Sequence, residues 1–288
     1  MANPQSVVQA VAKRVTRVWW SSFAGPSDGV PLGAVAALSL MGGYDDGDGH
    51  PRDLILEADD KTIADFLAKV WAMFTIMRPE LAFRCGPFGE WLNDDPHDES
   101  LVMAAAAVVR AAVGAGLLDL TFDREAVQEV DLLGHLHQEL RSTSAKKSSG
   151  QFYTPAEVAD LMAQLTATDV KPEPGQSICD IAAGTGGLLR PVAVRIRREG
   201  GDPHNFCWYA CDVDRLAVAA LAVNFHLWDL GPRVVVGCAN TLVEGDWHLK
   251  AIEEQRAAVE AQQARMEVAK AFAVLEAFKG RSNGSSPE

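Results

Sequence analysis

Apolar residues recur at intervals of three and four through most of the first 140 positions, the spacing that lines up one face of a helix. The pattern predicts helices over 7–20 and over 60–77. In the second, Ile63, Phe66, Leu67, Val70 and Phe74 share a face behind an N-cap at Asp60. An Ala-rich helix is expected over 101–117, ending near Gly114 and Gly116, and an amphipathic one over 124–140 with Val130, Leu133, Leu136 and Leu140 inward. The breaker-rich stretch 41–51 reads as an exposed loop. Residues 141–150, R-S-T-S-A-K-K-S-S-G, are polar and basic, a linker or surface loop and the best domain boundary. From 151 onward short apolar runs alternate with amphipathic stretches. This predicts a helix over 155–166 with Thr154 as N-cap, strands over 177–180, 206–211 and 233–238, and helices over 188–198 and 215–227. Such alternation implies a parallel sheet with right-handed crossovers. A long helix over 247–279 follows, stopped by Gly280, and the Ser-rich end reads as disordered. The expected organisation is a helical domain 1–143, an α/β domain 144–246 of about three parallel strands, a C-terminal helix 247–280 and a tail 281–288.

Composition narrows the class. The 288 residues are 48% hydrophobic and 23% charged, enough to bury a core. No apolar run approaches the ~18–20 residues of a membrane span, so no membrane partner is expected. The N-terminus lacks the pattern of a signal peptide, and five cysteines without paired spacing do not make a disulfide scaffold. A cytoplasmic protein is the reading. The net charge is −13, and residues 1–140 carry 10 Lys/Arg against 21 Asp/Glu. A protein that grips DNA unaided presents a basic surface, so any DNA contact is expected to be weak alone.

The sharpest chemical feature is Asp180-Ile181-Ala182-Ala183-Gly184-Thr185-Gly186-Gly187, directly after a strand and opening a helix. Glycines there permit a tight turn and close approach to a ligand. No Lys-Ser/Thr follows, so this is not a P-loop, and Leu189 stands where a dinucleotide fingerprint has its third glycine. An acid ending the strand suits a ligand with an amine and no pyrophosphate, such as S-adenosylmethionine. An ordinary Gly-rich turn is the competing reading. Asp212, in C-D-V-D at the end of the next strand, is placed to take ribose hydroxyls, or is a solvated loop acid. Asn240, in N-T-L after the third strand, is a polar group for an adenine edge. Phe152 and Tyr153 in G-Q-F-Y-T-P precede the helix N-cap, where a hydrophobic staple is the simple explanation. His204, Cys207 and Cys211 fall around a strand without an evident fourth ligand, so no metal is expected.

Together, G-Q-F-Y-T-P, D-I-A-A-G-T-G-G-L-L, C-D-V-D with L-A-V-N-F-H-L-W-D-L-G, and N-T-L resemble the adenine-N6 DNA methyltransferases, and most closely the M (modification) subunits of type I restriction–modification systems. The likeness covers about 125–243. It implies a partial Rossmann-like SAM-dependent methyltransferase domain behind a helical region, with S-adenosylmethionine as cofactor. It further implies that Phe152, Tyr153, Thr154 and Pro155 wall the cofactor pocket. Asp180, Ala182, Gly184, Thr185 and Gly186 would form its methionine end, with Asp212 at the ribose and Asn240 at the adenine. Ile181 and Ala183 replace the proline and cysteine that are usual in that loop.

One family element is missing. Adenine-N6 enzymes carry N-P-P-Y after a fourth strand, to accept the target amine and stack on the flipped base. No two prolines are adjacent in the 288 residues, and the only Asn-Pro is Asn3-Pro4. No catalytic residue is therefore assigned. The expectation is a component of an adenine-N6 methylation system that meets DNA in a complex and takes its base pocket from a partner, a second methyltransferase or specificity subunit. The alternative is a non-catalytic SAM-binding regulator or interaction protein. A small-molecule methyltransferase is disfavoured by G-Q-F-Y-T-P. In the 247–279 helix Ile252, Val259 and Met266 keep heptad spacing, but Arg256 and Gln263 interrupt it. That helix is expected to cover the sheet beside the first strand, shielding an edge left bare, or to recruit a partner there.

Overall fold

A computed structural model of the chain describes residues 3–22, 27–42, 51–93, 98–141, 158, 161–162, 173 and 175–282. The boundary stretch 142–150, Phe152, Tyr153, Thr154 and Pro155, and all of the 155–166 helix except 158 and 161–162 lie outside the described residues.

Among the described residues up to 140, the regular structure is all helical. The longer helices are Pro4–Ser22, Gly29–Ser39, Asp60–Met77 and Glu99–Gly114. Pro4–Ser22 turns Val8, Val11, Ala12, Val15 and Trp19 inward, one apolar face at helical spacing. Gly29–Ser39 is buried along its whole length, so it carries no amphipathic signal, and the sequence pattern missed it. The cap of Asp60–Met77 is Asp59, not Asp60: its carboxylate accepts from Thr62 N at 2.7 Å. The helix expected over 124–140 is two, Arg124–Gln128 and Leu132–Leu140. Asp131 divides them, with its side chain capping the second at Gly134 N, 2.8 Å. Asp98 and Asp123 cap helices in the same way. Much of the acidic excess of this half thus meets the partial positive charge of helix N-termini.

Three strands follow: β1 (Ser177–Asp180), β2 (Cys207–Asp212) and β3 (Val234–Cys238). They form one parallel sheet in the order β1-β2-β3, with Ser177 opposite Cys207 and Trp208 opposite Val234. Helices Leu189–Arg198 and Arg215–Leu227 make the two crossovers. The fold is the partial Rossmann-like α/β arrangement expected, behind a helical region. One buried cluster runs from Val8 through Leu136 to Trp208, Phe225 and Val236, joining helices of the first half to the sheet. Arg78 adds a polar tie, donating to Gly231 O at 3.0 Å and lying 3.3 Å from His226 Nδ1. Burial, then the Arg78 charge, pushes the His226 imidazole down to about 4, which keeps it neutral and able to accept. No helix among the described residues is long and apolar enough to cross a membrane.

The C-terminal helix corrects two expectations. It runs Trp247–Ser282, through Gly280, so residues 281 and 282 are helical; 283–288 lie outside the described residues. It also packs on β3 and not beside β1. Gln255 Nε2 donates to Val234 O at 3.0 Å, and Arg84 Nε, from the helical half, donates to Val236 O at 2.9 Å. Arg84 is held there by Glu254 of the same long helix. Side chains therefore satisfy carbonyls along the free edge of β3, which makes it a poor template for another strand. β1 pairs with β2 alone among the described residues, and Ser177 and Cys179 are exposed.

Candidate functional site

The three strands end on the same side, and their following loops are tied together by backbone and carboxylate bonds. Ala183 N donates to Cys211 O at 2.9 Å, Gly184 N to Asp212 Oδ2 at 2.8 Å, and Ala239 N to Asp212 O at 3.1 Å. Thr241 Oγ1 donates to Ile181 O at 3.0 Å. The carboxyl edge of a parallel sheet is where such folds hold ligands.

Asp180 ends β1. Its Oδ1 accepts from Ala182 N at 3.1 Å. Its Oδ2 is shut off from water and has no partner among the described residues. Burial raises the Asp180 carboxyl above the usual carboxylate range; the Ala182 N–H opposes this and the Asp212 charge adds to it. A buried acceptor without a donor is costly. An ammonium group of a ligand would satisfy it and favour the ionised carboxylate.

Asp212 ends β2 and holds the glycine loop. While Oδ2 takes Gly184 N, Oδ1 accepts from Asp214 N at 2.9 Å. Each oxygen keeps a further lone pair for a hydroxyl donor. Gly184 stands at φ 55°, the left-handed region, and this turns its N–H toward that carboxylate. Asn240 is exposed, with Oδ1 accepting from Leu242 N at 3.2 Å. Ile181, Val213, Leu242 and Val243 are exposed on the loops that follow the strands, an apolar rim contributed by all three loops.

The structure brings Asp180, Ala182, Gly184, Asp212 and Asn240 to this edge. Thr185 and Gly186 turn inward. The Thr185 side chain is buried and donates to Asp131 Oδ2 at 3.1 Å. Gly186 packs against Leu221 and Trp228.

Sequence reasoning missed the group that supports the loop. Asn224, 1% exposed, donates through Nδ2 to Asp131 Oδ1 at 3.0 Å and to Thr185 O at 2.9 Å. Arg141 Nη2 meets Asp214 Oδ2 at 2.5 Å. Asp131 thus caps its own helix and fixes both Thr185 and Asn224, so the helical half positions the glycine loop. The available signal was Asn224 itself, an amide in the otherwise apolar run L-A-V-N-F; such a group is buried only with partners.

Residues 128–262 match the model of the N-6 DNA Methylase family. The chain resembles the N-6 DNA methylases over this span. The matched segment takes in all three strand-end loops as well as Asp131, Asn224 and the root of the C-terminal helix. Among solved structures, the chain is similar to the methyltransferase subunit of a type I restriction-modification system from Streptococcus thermophilus, with 18% identity and a TM-score of 0.49. That match covers 85% of this chain and 60% of the other, so the chain spans less than two thirds of that subunit. No curated protein matches the chain significantly.

Proposed function

We propose that this chain binds S-adenosylmethionine and is the donor-binding component of an adenine-N6 DNA methylation system, with the pocket for the target base supplied by a second polypeptide. The observation that carries the reading is the buried Asp180 Oδ2, without a partner among the described residues, beside a glycine loop held by Asp212. The residues fit the cofactor's chemistry. Asp180 would take the ammonium of the methionine end, Asp212 the ribose hydroxyls, and Asn240 with the apolar rim the adenine. Phe152, Tyr153, Thr154 and Pro155 would close the remaining wall, as the family resemblance implies. S-adenosylmethionine, when bound, supplies an electrophilic methyl group. The chain's own residues orient it: the Asp212 carboxylate sets the loop, and Asp131 with Asn224 holds the loop's far side.

The 288 residues contain no N-P-P-Y, so nothing in them is assigned to grip a flipped adenine. Partners fitting this role are a second methyltransferase or specificity subunit, with DNA held by the complex. The charge of −13 agrees with that division, since phosphate contacts need basic side chains. The test is transfer of label from tritiated S-adenosylmethionine to mixed-sequence DNA. The chain alone is expected to incorporate none above a no-protein control, and co-expression with a neighbouring N-P-P-Y-bearing protein is expected to restore it. Label in adenine from the chain alone would overturn the assignment of the base pocket to a partner. Failure of every such partner to restore transfer would favour the non-catalytic regulator.

A further inference from the structure

At Glu129, Val130 and Asp131 the helical half meets the glycine loop, and each of the three takes a donor from the α/β half. Glu129 O accepts from Arg190 Nη1 at 2.6 Å, and Val130 O accepts from the Trp228 indole at 2.9 Å. The Asp131 carboxylate accepts from Thr185 Oγ1 at 3.1 Å and from Asn224 Nδ2 at 3.0 Å. The bonds to the two carbonyls hold the stretch in place. The bond from Thr185 differs, because Thr185 belongs to the loop itself and follows Gly184.

Two carboxylates, one from each half, thus grip adjacent loop residues. Gly184 N donates to Asp212 Oδ2 at 2.8 Å, and the Thr185 hydroxyl donates to Asp131 Oδ2. A glycine has the freest backbone of any residue, so Gly184 keeps its N–H aimed at Asp212 only while both its neighbours are fixed. Ala183 is fixed by its N–H, which donates to Cys211 O at 2.9 Å. Thr185 is fixed by Asp131 at its side chain and by Asn224 Nδ2 at its carbonyl, 2.9 Å. At 3% exposure the Thr185 side chain does not face the ligand edge, so any effect it has on a ligand passes through the loop. Gly134 gives the pair its space. A Cβ there would run into Asp131 Oδ2 and stand 2.6 Å from Thr185 Oγ1.

We propose that Asp131 is a positioning residue of the donor pocket: acting through Thr185, it holds Gly184 on Asp212 and so sets the affinity for S-adenosylmethionine. The inference rests on the pocket proposed above, and it makes that affinity depend on how the helical half is docked.

Isothermal titration of the full chain with S-adenosylmethionine tests it. Thr185→Val keeps the side chain's shape and removes the donor. It is expected to weaken binding about ten-fold, the order of one buried hydrogen bond lost with its acceptor left unpaired. Thr185→Ser, which keeps the hydroxyl, is expected to bind as the unaltered chain does. Gly134→Ala favours helix and lies in the helical half, yet it displaces the same pair and is expected to lose about as much. The two changes combined should cost no more than either alone, as for residues acting through one contact. Ser39→Ala removes a different buried hydroxyl of the helical half, one bonded to Val35 O at 2.8 Å, and is expected to leave the affinity unchanged. Full affinity in Thr185→Val, no rescue by Thr185→Ser, losses that add in the combined variant, or an equal loss in Ser39→Ala would each overturn the proposal and leave the pocket standing. No binding by the unaltered chain would overturn the pocket, and the proposal with it.

Discussion

Replacing Gly186 by alanine is expected to destabilise the fold by about 2–4 kcal/mol, the sum of a left-handed backbone without glycine and an overpacked contact. Gly186 stands at φ 95°. A Cβ there would sit 2.7 Å from a ring carbon of Trp228 and 2.9 Å from a Leu221 methyl. Neither neighbour has room to move: Leu221 and Trp228 are buried, and the Trp228 indole N–H is anchored to Val130 O at 2.9 Å. The loop would have to shift away from the helix Arg215–Leu227, taking Thr185 and its bond to Asp131 with it. Gly187→Ala is the control, because a Cβ at Gly187 meets nothing within 4 Å. Urea unfolding of the two variants should separate them clearly. Equal midpoints would mean that the glycine loop is not packed as described.

Asp212→Ala is expected to weaken S-adenosylmethionine binding by about 1.5–3 kcal/mol, roughly ten- to 150-fold, the range of hydrogen bonds to a charged group. Two losses combine. The variant removes the acceptor for ligand hydroxyls, and it also frees Gly184 N and Asp214 N, both bonded to this carboxylate. The glycine loop then loses its tether to β2. Asp212→Asn keeps one acceptor oxygen and should fall between the two. An unchanged affinity in Asp212→Ala would show that the ligand does not use this strand end.

Much of this site was legible because its signals are local. An acid ending a strand, followed by a glycine turn, places Asp180 and Gly184 without knowledge of the rest of the chain. Asp212 follows from the next strand by the same logic. The three strands were found within a residue of their observed limits, since short apolar runs between helices have few other uses. What escaped were contacts made at long range. Nothing local says that Asp131, in the helical half, holds Thr185 and Asn224, or that it splits the helix expected over 124–140 by capping its second part. Gly29–Ser39 escaped for the opposite reason: a helix buried on every side shows no periodic contrast. The C-terminal helix went to β3 because Arg84 and Gln255 supply donors for that edge, a pairing visible only once the helical half is folded against the sheet. Gly280 did not end the helix, since a single glycine weakens a helix without breaking it.

The central claim is that the strand-end loops form a pocket for S-adenosylmethionine, and isothermal titration of the full chain with that compound tests it most directly. A saturable heat with one site per chain is predicted, lost or strongly reduced in Asp180→Asn, which removes the charge that would meet the ligand's ammonium while keeping the side chain's shape. No heat and no thermal shift at millimolar ligand would contradict it.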